Sequence, residues 1–171
     1  MPGIKTLLLK QENLPMKLAG GCRCGAVSYR TNSDIQAAVY ACHCQYCQTW
    51  SGSSFALHAL LPSEAFVLQG PTLEYTYEDQ SHIAHHYLCA TCHTRLYNTT
   101  TAAPGFWVLR AGTLEDRSSL SPMAHIWVKH KQPWLTLPAD VATWPESPTP
   151  QEFAAALNTG RPGLSRGPHE Q

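Results

Sequence analysis

Apolar and polar positions alternate with period two through much of the chain. Val27 and Tyr29, then Tyr75 and Tyr77, then Ile83, His85 and Tyr87 follow the spacing of half-buried strands. Short runs rich in β-branched and aromatic residues, most bounded by Gly, Pro, Ser, Asn or Asp, predict strands over 26–30, 38–41, 55–61, 66–68, 73–77, 83–88, 106–109 and 126–128. Helical periodicity is scarce. Pro62-Ser63-Glu64-Ala65-Phe66 suits one turn with Ser63 as its cap, and residues 149–157 make the best helix. Thr149 caps that helix, Pro150 opens its first turn, an alanine run fills it, and it ends before Gly160. The expected fold is mainly β: a single domain of short antiparallel strands at residues 17–137. Residues 1–16 read as an N-terminal arm. Residues 138–171 hold six of the thirteen prolines and read as an extension with one short helix, frayed beyond Gly160.

Charge narrows the partners. Lys plus Arg is 12 and Asp plus Glu is 12, so the net charge is zero and no basic field attracts phosphates. That argues against nucleic acid. Charged residues are only 14%, but 43% of the chain is hydrophobic, enough to bury a core. The longest apolar run near the start, Leu7-Leu8-Leu9, is too short for a signal peptide or a membrane span, so a cytoplasmic location is expected. The Asn98-Thr99-Thr100 sequon carries no meaning without secretion.

Seven cysteines dominate the chemistry. They fall into Cys22-Arg23-Cys24, the C-x-C-x-x-C run of Cys42, Cys44 and Cys47, and the C-x-x-C pair of Cys89 and Cys92. An odd number cannot all pair into internal disulfides, and a tight turn between closely spaced cysteines aims their sulfurs at one point. The two separated pairs supply four sulfurs, which close one tetrahedron. The central run supplies three and leaves a position open. Counting thus predicts two zinc ions per chain: a structural one on Cys22, Cys24, Cys89 and Cys92, and a second on Cys42, Cys44 and Cys47. Iron–sulfur binding remains open, as does closure of the second site by His43, His58, His85 or His125.

Three thiolates on a divalent ion leave a formal charge of −1 and a weak Lewis acid, which suits a substrate thiol better than water. Zinc deaminases also use three cysteines, but they need an H-x-E motif and P-C-x-x-C. This chain has no H-x-E, and Leu88 precedes Cys89, which excludes that class.

The order of motifs resembles the glutathione-dependent formaldehyde-activating family, which includes the centromere protein V type domain. The matching stretches are Gly20 through Tyr29, Cys42 through Phe55 with Gly52-Ser53, Leu88 through Leu96, Gly112 through Asp116, and His125 through Trp134. All seven cysteines fall in register, over about residues 17–135. The resemblance implies a mainly β fold with two zincs partitioned four and three. It also implies a carbon–sulfur lyase, joining formaldehyde and glutathione into S-hydroxymethylglutathione or splitting the adduct. The chain departs from the family pattern at three places. His93 replaces the usual glycine after C-x-x-C, Glu115 stands in the usual L-D-D, and Gln48-Thr49 replace basic residues after the central run. The last change removes positive charge that an anionic tripeptide would use.

The expected substrate is therefore a small-molecule thiol or aldehyde-derived compound, with glutathione one candidate. No membrane partner is expected, and a homodimer is compatible. The acid–base candidates are His43, Ser53, His58 and His125, while Phe55, Trp50 and Trp127 are candidate pocket walls. Trp107, Trp127, Trp134 and Trp144 read as core or core edge. His85 and His86, adjacent on a strand, point to opposite faces and cannot share a metal. Two other readings stand beside the lyase. One is a zinc-stabilised scaffold, the other a zinc enzyme on a different small carbonyl or imine compound.

Overall fold

Alternating side chains bury one face of a strand only if another layer covers it, and here two sheets and two helices provide the layers. The computed structural model describes residues 17–78, 82–118 and 120–158. The arm at 1–16 and the chain beyond 158, with the fraying expected past Gly160, lie outside the described residues. The strands are β1 (Ala19–Gly21), β2 (Ser28–Thr31), β3 (Ala38–Cys42), β4 (Ala56–Pro62), β5 (Phe66–Gln69), β6 (Thr72–Glu78), β7 (Ile83–Cys89), β8 (Arg95–Thr100), β9 (Phe106–Arg110), β10 (Ala124–Ile126) and β11 (Ala142–Thr143). The helices are α1 (Gln45–Ser51) and α2 (Pro150–Asn158). No helix among the described residues is long and apolar enough to cross a membrane.

One sheet has the order β1-β2-β5, and the other β11-β10-β3-β4-β9-β8-β7-β6. Pairing is antiparallel except that β10 runs parallel to both β3 and β11. The mainly antiparallel arrangement expected from the sequence is present, with β10 as the parallel addition. The long stretch of chain between β3 and β10 supplies the crossover that parallel neighbours require.

Between the two sheets lies a core of Val27, Tyr29, Val39, Ala59, Leu61, Leu96, Tyr97, Leu109 and Leu114. An aromatic ladder extends it. Tyr87, Tyr97 and Trp107 stack at 4.5 and 3.8 Å, Trp107 stacks on Phe66 at 4.9 Å, and Phe66 meets Tyr29 edge-on at 5.8 Å. Rings from β7, β8 and β9 are thereby coupled to β5 and β2 of the smaller sheet. The opposite face of the large sheet packs Tyr40, Cys42, Val108 and Ala124 against Leu157 and Phe153 of α2.

Every strand expected from the sequence is present, with shifted ends. β10 sits at 124–126 rather than 126–128, because Trp127 takes a left-handed φ of 60° and ends it. Three strands and one helix escape the pattern. In β8 the register slips against Tyr87 and Leu88, so Leu96 and Tyr97 both bury and the alternation is broken. α1 is short, has no buried residue and takes Cys44, an unusual cap, at its N-terminus. The turn at Ser63–Ala65 forms, but Pro62 occupies the cap position with no side-chain bond, so Ser63 is not the cap. In α2, Thr149 and Glu152 close a capping box: the Thr149 amide donates to Glu152 Oε2 at 2.9 Å, and the Glu152 amide to Thr149 Oγ1 at 3.3 Å. Trp134 is 70% exposed, not core. It occupies a corner of the turn closed by the Leu135 amide donating to Gln132 O, and so points outward.

Leu61 is fully buried between the sheets. Leu61→Ala should cost about 2–5 kcal/mol of stability, read as a lower denaturant midpoint with unchanged slope.

Candidate metal centre

Two turns from different sheets meet at the first cysteine group. Cys22 and Cys24 sit in the β1–β2 turn, where Gly25 takes a φ of 79° and its amide donates to Cys22 O at 3.2 Å. Cys89 ends β7, and Cys92 lies in the turn leading to β8. The four sulfurs all lie within 4.8 Å of one another, with Cys22–Cys24 at 3.5 Å and Cys24–Cys89 at 3.8 Å. A tetrahedral zinc with bonds near 2.3 Å spaces its sulfurs ~3.8 Å apart, so this donor set fits. Backbone amides also point at the sulfurs: Val27 N donates to Cys22 Sγ at 3.2 Å, and Thr91 N to Cys89 Sγ at 3.4 Å. Thr94, through its hydroxyl and its amide, holds the Cys92 thiol down at about 5. Such donation favours thiolates, the form that binds metal. His93 closes this turn with a φ of 57°, a conformation that glycine adopts without a Cβ penalty.

The second group is local. Cys42 is the last residue of β3, Cys44 caps α1 and Cys47 lies in its first turn; their sulfurs also lie within 4.8 Å of one another. The Cys47 amide donates to Cys44 Sγ at 3.3 Å. Hydrogen bonds from the Cys42 and Cys47 thiols, with the Cys47 and Tyr46 amides, lower the Cys44 thiol, while Cys44 and burial push Cys42 and Cys47 up, so one thiolate forms first in the group. This donor set fits a metal through three positions.

The sequence candidates separate around this group. His43, between two of these cysteines, packs on Phe55 and meets His125, with His43 Nε2 3.0 Å from His125 Nδ1. Both histidines are buried, and neither ring makes a described contact with the cysteine sulfurs. Phe55 thus lines the histidine pair. Ser53 is exposed just after the αL residue Gly52. Trp127 lies at the edge of the α2-side core and donates from Nε1 to Ser147 Oγ at 3.0 Å. His58, from β4, is the candidate that reaches the cluster, with Nε2 3.6 Å from Cys47 Sγ. His85 and His86 part as expected: His85 meets Glu74 at 2.9 Å, while His86 is buried against Trp50.

Sequence reasoning missed the residues around His58. Arg110 Nη1 lies 2.6 Å from His58 Nδ1 and 3.0 Å from Nε2, and Nη2 donates to Asn98 Oδ1 at 3.2 Å. Burial, then Arg110 and His86, pushes His58 well below its ordinary value, so the ring is neutral. Burial also lowers Arg110, while the thiols of the cluster pull it back up. Beyond Asn98 stands Arg95, whose Nη2 donates to His86 Nδ1 at 2.9 Å beneath Trp50. An arginine at the end of an apolar run, on the parity of buried Val108, was the available signal for Arg110. No signal marked Arg95, because only the β8 bulge brings it to this face.

Two sheets, a closed four-sulfur group and an open three-sulfur group define a cysteine-rich β domain whose clusters can hold metal ions. The family model described as glutathione-dependent formaldehyde-activating enzyme matches residues 17–130, and the chain belongs to that family. Among solved structures, a crystal structure of a Rhodobacter sphaeroides protein is similar at 22% identity and a TM-score of 0.47, covering 63% of this chain and 92% of that one.

If zinc fills the four-sulfur group, its binding contributes an apparent ~10–16 kcal/mol, comparable to a domain's whole stability. Cys89→Ser should leave the domain largely unfolded, while Cys44→Ser should remove one metal equivalent and keep the melt cooperative; elemental analysis beside circular dichroism checks this. Burial, with His125 and Lys131 nearby, holds His43 at about 4, and burial, with Arg110 nearby, does the same for His86, against 6.5 for the free side chain. Below 6.5 the unfolded chain therefore binds more protons than the folded one. Stability should fall as pH drops from 6.5 toward 4, by up to ~1.4 kcal/mol per pH unit for each ring. Urea midpoints across that range read the slope, and His43→Gln should flatten it.

Proposed function

We propose that this chain is a carbon–sulfur lyase acting on thiol–aldehyde adducts of the S-hydroxymethylglutathione type, with zinc on Cys42, Cys44 and Cys47 as its reactive centre. The observation that carries the reading is the three-sulfur donor set: among the described residues no fourth Cys, His, Asp or Glu ligand atom lies within 4.8 Å of all three sulfurs, though His58 Nε2 comes to 3.6 Å from Cys47 Sγ. A zinc bound there would supply a fourth position suited to a soft thiolate. The net reaction joins RSH and formaldehyde into RS–CH2OH: sulfur bonds to the carbonyl carbon, and the resulting alkoxide takes up the proton that the thiol gave up.

The chain's own residues support that proton traffic. Arg110 Nη1 lies within 3.0 Å of both ring nitrogens of His58, and in the Nε2–H tautomer the neutral ring turns its one hydrogen toward Cys47. His58 thus holds a proton beside the cluster, where an alkoxide oxygen could accept it. The Arg110 guanidinium offsets negative charge on the three sulfurs, and Asn98 fixes its orientation.

A second reading, a closed structural site, draws on the same 3.6 Å approach of His58 to Cys47. Cobalt substitution separates the two. Added glutathione should change the ligand field of one site in a lyase and leave both unchanged in a scaffold. Catalysis is tested by NMR exchange between 13C-formaldehyde and S-hydroxymethylglutathione against a protein-free control, since thiols add to formaldehyde unaided. The expected result is exchange above that control, reduced ~100-fold or more in His58→Gln with the metal count preserved.

A further inference from the structure

The three-cysteine group rests on a helix with little to anchor it. α1 has seven residues, buries none of them, and is too short to be stable alone in water. Cys44 caps it and Cys47 lies in its first turn, so any shift of α1 moves two of the three sulfurs. Tyr46 and Trp50 meet Tyr77 and Tyr75 of β6 as ring contacts, yet both stay exposed. Apolar contact of that kind is non-directional and does not by itself fix the orientation of a helix.

Directional bonds come from Gln48, the residue after Cys47. Its Nε2 donates to His43 O at 2.7 Å and to His130 O at 2.9 Å, and its Oε1 accepts from Gln132 Nε2 at 2.8 Å. Both carboxamide hydrogens are thus used, on carbonyls 5 and 82 residues away. The His43 amide donates to Ile126 O at 3.0 Å, so both backbone groups of the residue between Cys42 and Cys44 are held. Planar peptides leave two soft torsions at residue 43, and these set how the Cys42 and Cys44 sulfurs face each other. The far anchor is itself braced. The His130 and Lys131 amides donate to Trp127 O and Val128 O, and Lys131 Nζ donates to Gln132 O and Leu135 O at 3.1 and 2.6 Å.

We infer that Gln48 is a positioning residue of the three-sulfur centre. It ties the Cys42–Cys47 segment to the 130–132 turn and keeps the three sulfurs gathered before a metal arrives. The cost of ordering the donors then falls on folding rather than on metal binding, which raises metal affinity. The inference rests on reading this group as a metal site and does not need the lyase reaction.

The test uses the zinc-loaded full chain and a chromophoric zinc chelator, with Cys44→Ser marking which metal equivalent belongs to the three-sulfur group. Gln48→Met keeps the reach of the side chain and removes its three bonds. It should weaken that equivalent ~10–100-fold, the usual effect of losing groups that orient metal ligands, and leave the four-sulfur equivalent unchanged. Gln132→Met, which removes one of the three bonds, should weaken it less. In the cobalt form, the ligand-field bands of the three-sulfur site should shift in Gln48→Met while those of the four-sulfur site stay. A folded Gln48→Met protein with unaltered affinity and bands overturns the inference. So does parallel loss of both equivalents, which marks a purely structural role. Should Gln48→Met fail to fold, Gln132→Met decides, and unchanged affinity and bands there overturn the inference. An unsubstituted chain that takes up a single equivalent removes the metal reading itself, and the inference with it, before any variant is made.

Discussion

The convergence of four sulfurs from two sheets is the constraint on which the rest of the molecule depends. Cys22 and Cys24 belong to the turn of the three-stranded sheet, Cys89 and Cys92 to a turn of the eight-stranded one, and they are separated by 65 residues between Cys24 and Cys89. Drawing them together fixes how the two sheets face each other. The core between the sheets includes Cys89 itself, and Cys22 and Cys92 pack at its margin. Thiolates there repel one another unless a cation joins them, so a metal ion bound at this group would couple to sheet packing.

The second cysteine group stands on the other face of the large sheet and closes no long loop. Its three sulfurs come from six consecutive residues, and strand-to-helix geometry at β3 and α1 is enough to gather them. This group does not hold the two sheets together. Its surroundings are polar. His58, Arg110 and Asn98 form a connected chain across β4, β9 and β8, in which Arg110 Nε is buried without a partner.

The two cysteine clusters were legible in the sequence because ligand spacing is local, and four plus three is the division that strands no thiol. Most strands were legible because alternation and turn residues report half-buried strands directly. β8 and α1 were not. The β8 bulge places Leu96 and Tyr97 on one face, which destroys the period-two signal, and α1 buries no residue and so lacks an apolar stripe. The histidines show the same limit. Sequence could name His43, His58 and His125 as candidates, but only the register of β3, β4 and β10 sets His58 against Cys47 and pairs the other two with each other.

The amino-acid sequence by itself determined the class of this protein: a mainly β chain with seven cysteines at metal-ligand spacing, one helix capped at Thr149, and motifs that resemble a formaldehyde-activating family. Tertiary structure alone decided which cationic side chains stand near the central three thiols. Arg95 and Arg110 lie far from Cys42, Cys44 and Cys47 in sequence, and their faces depend on a bulge and on sheet order. Neither leaves a trace in local spacing, because cross-strand neighbours are chosen by the whole sheet rather than by adjacent residues.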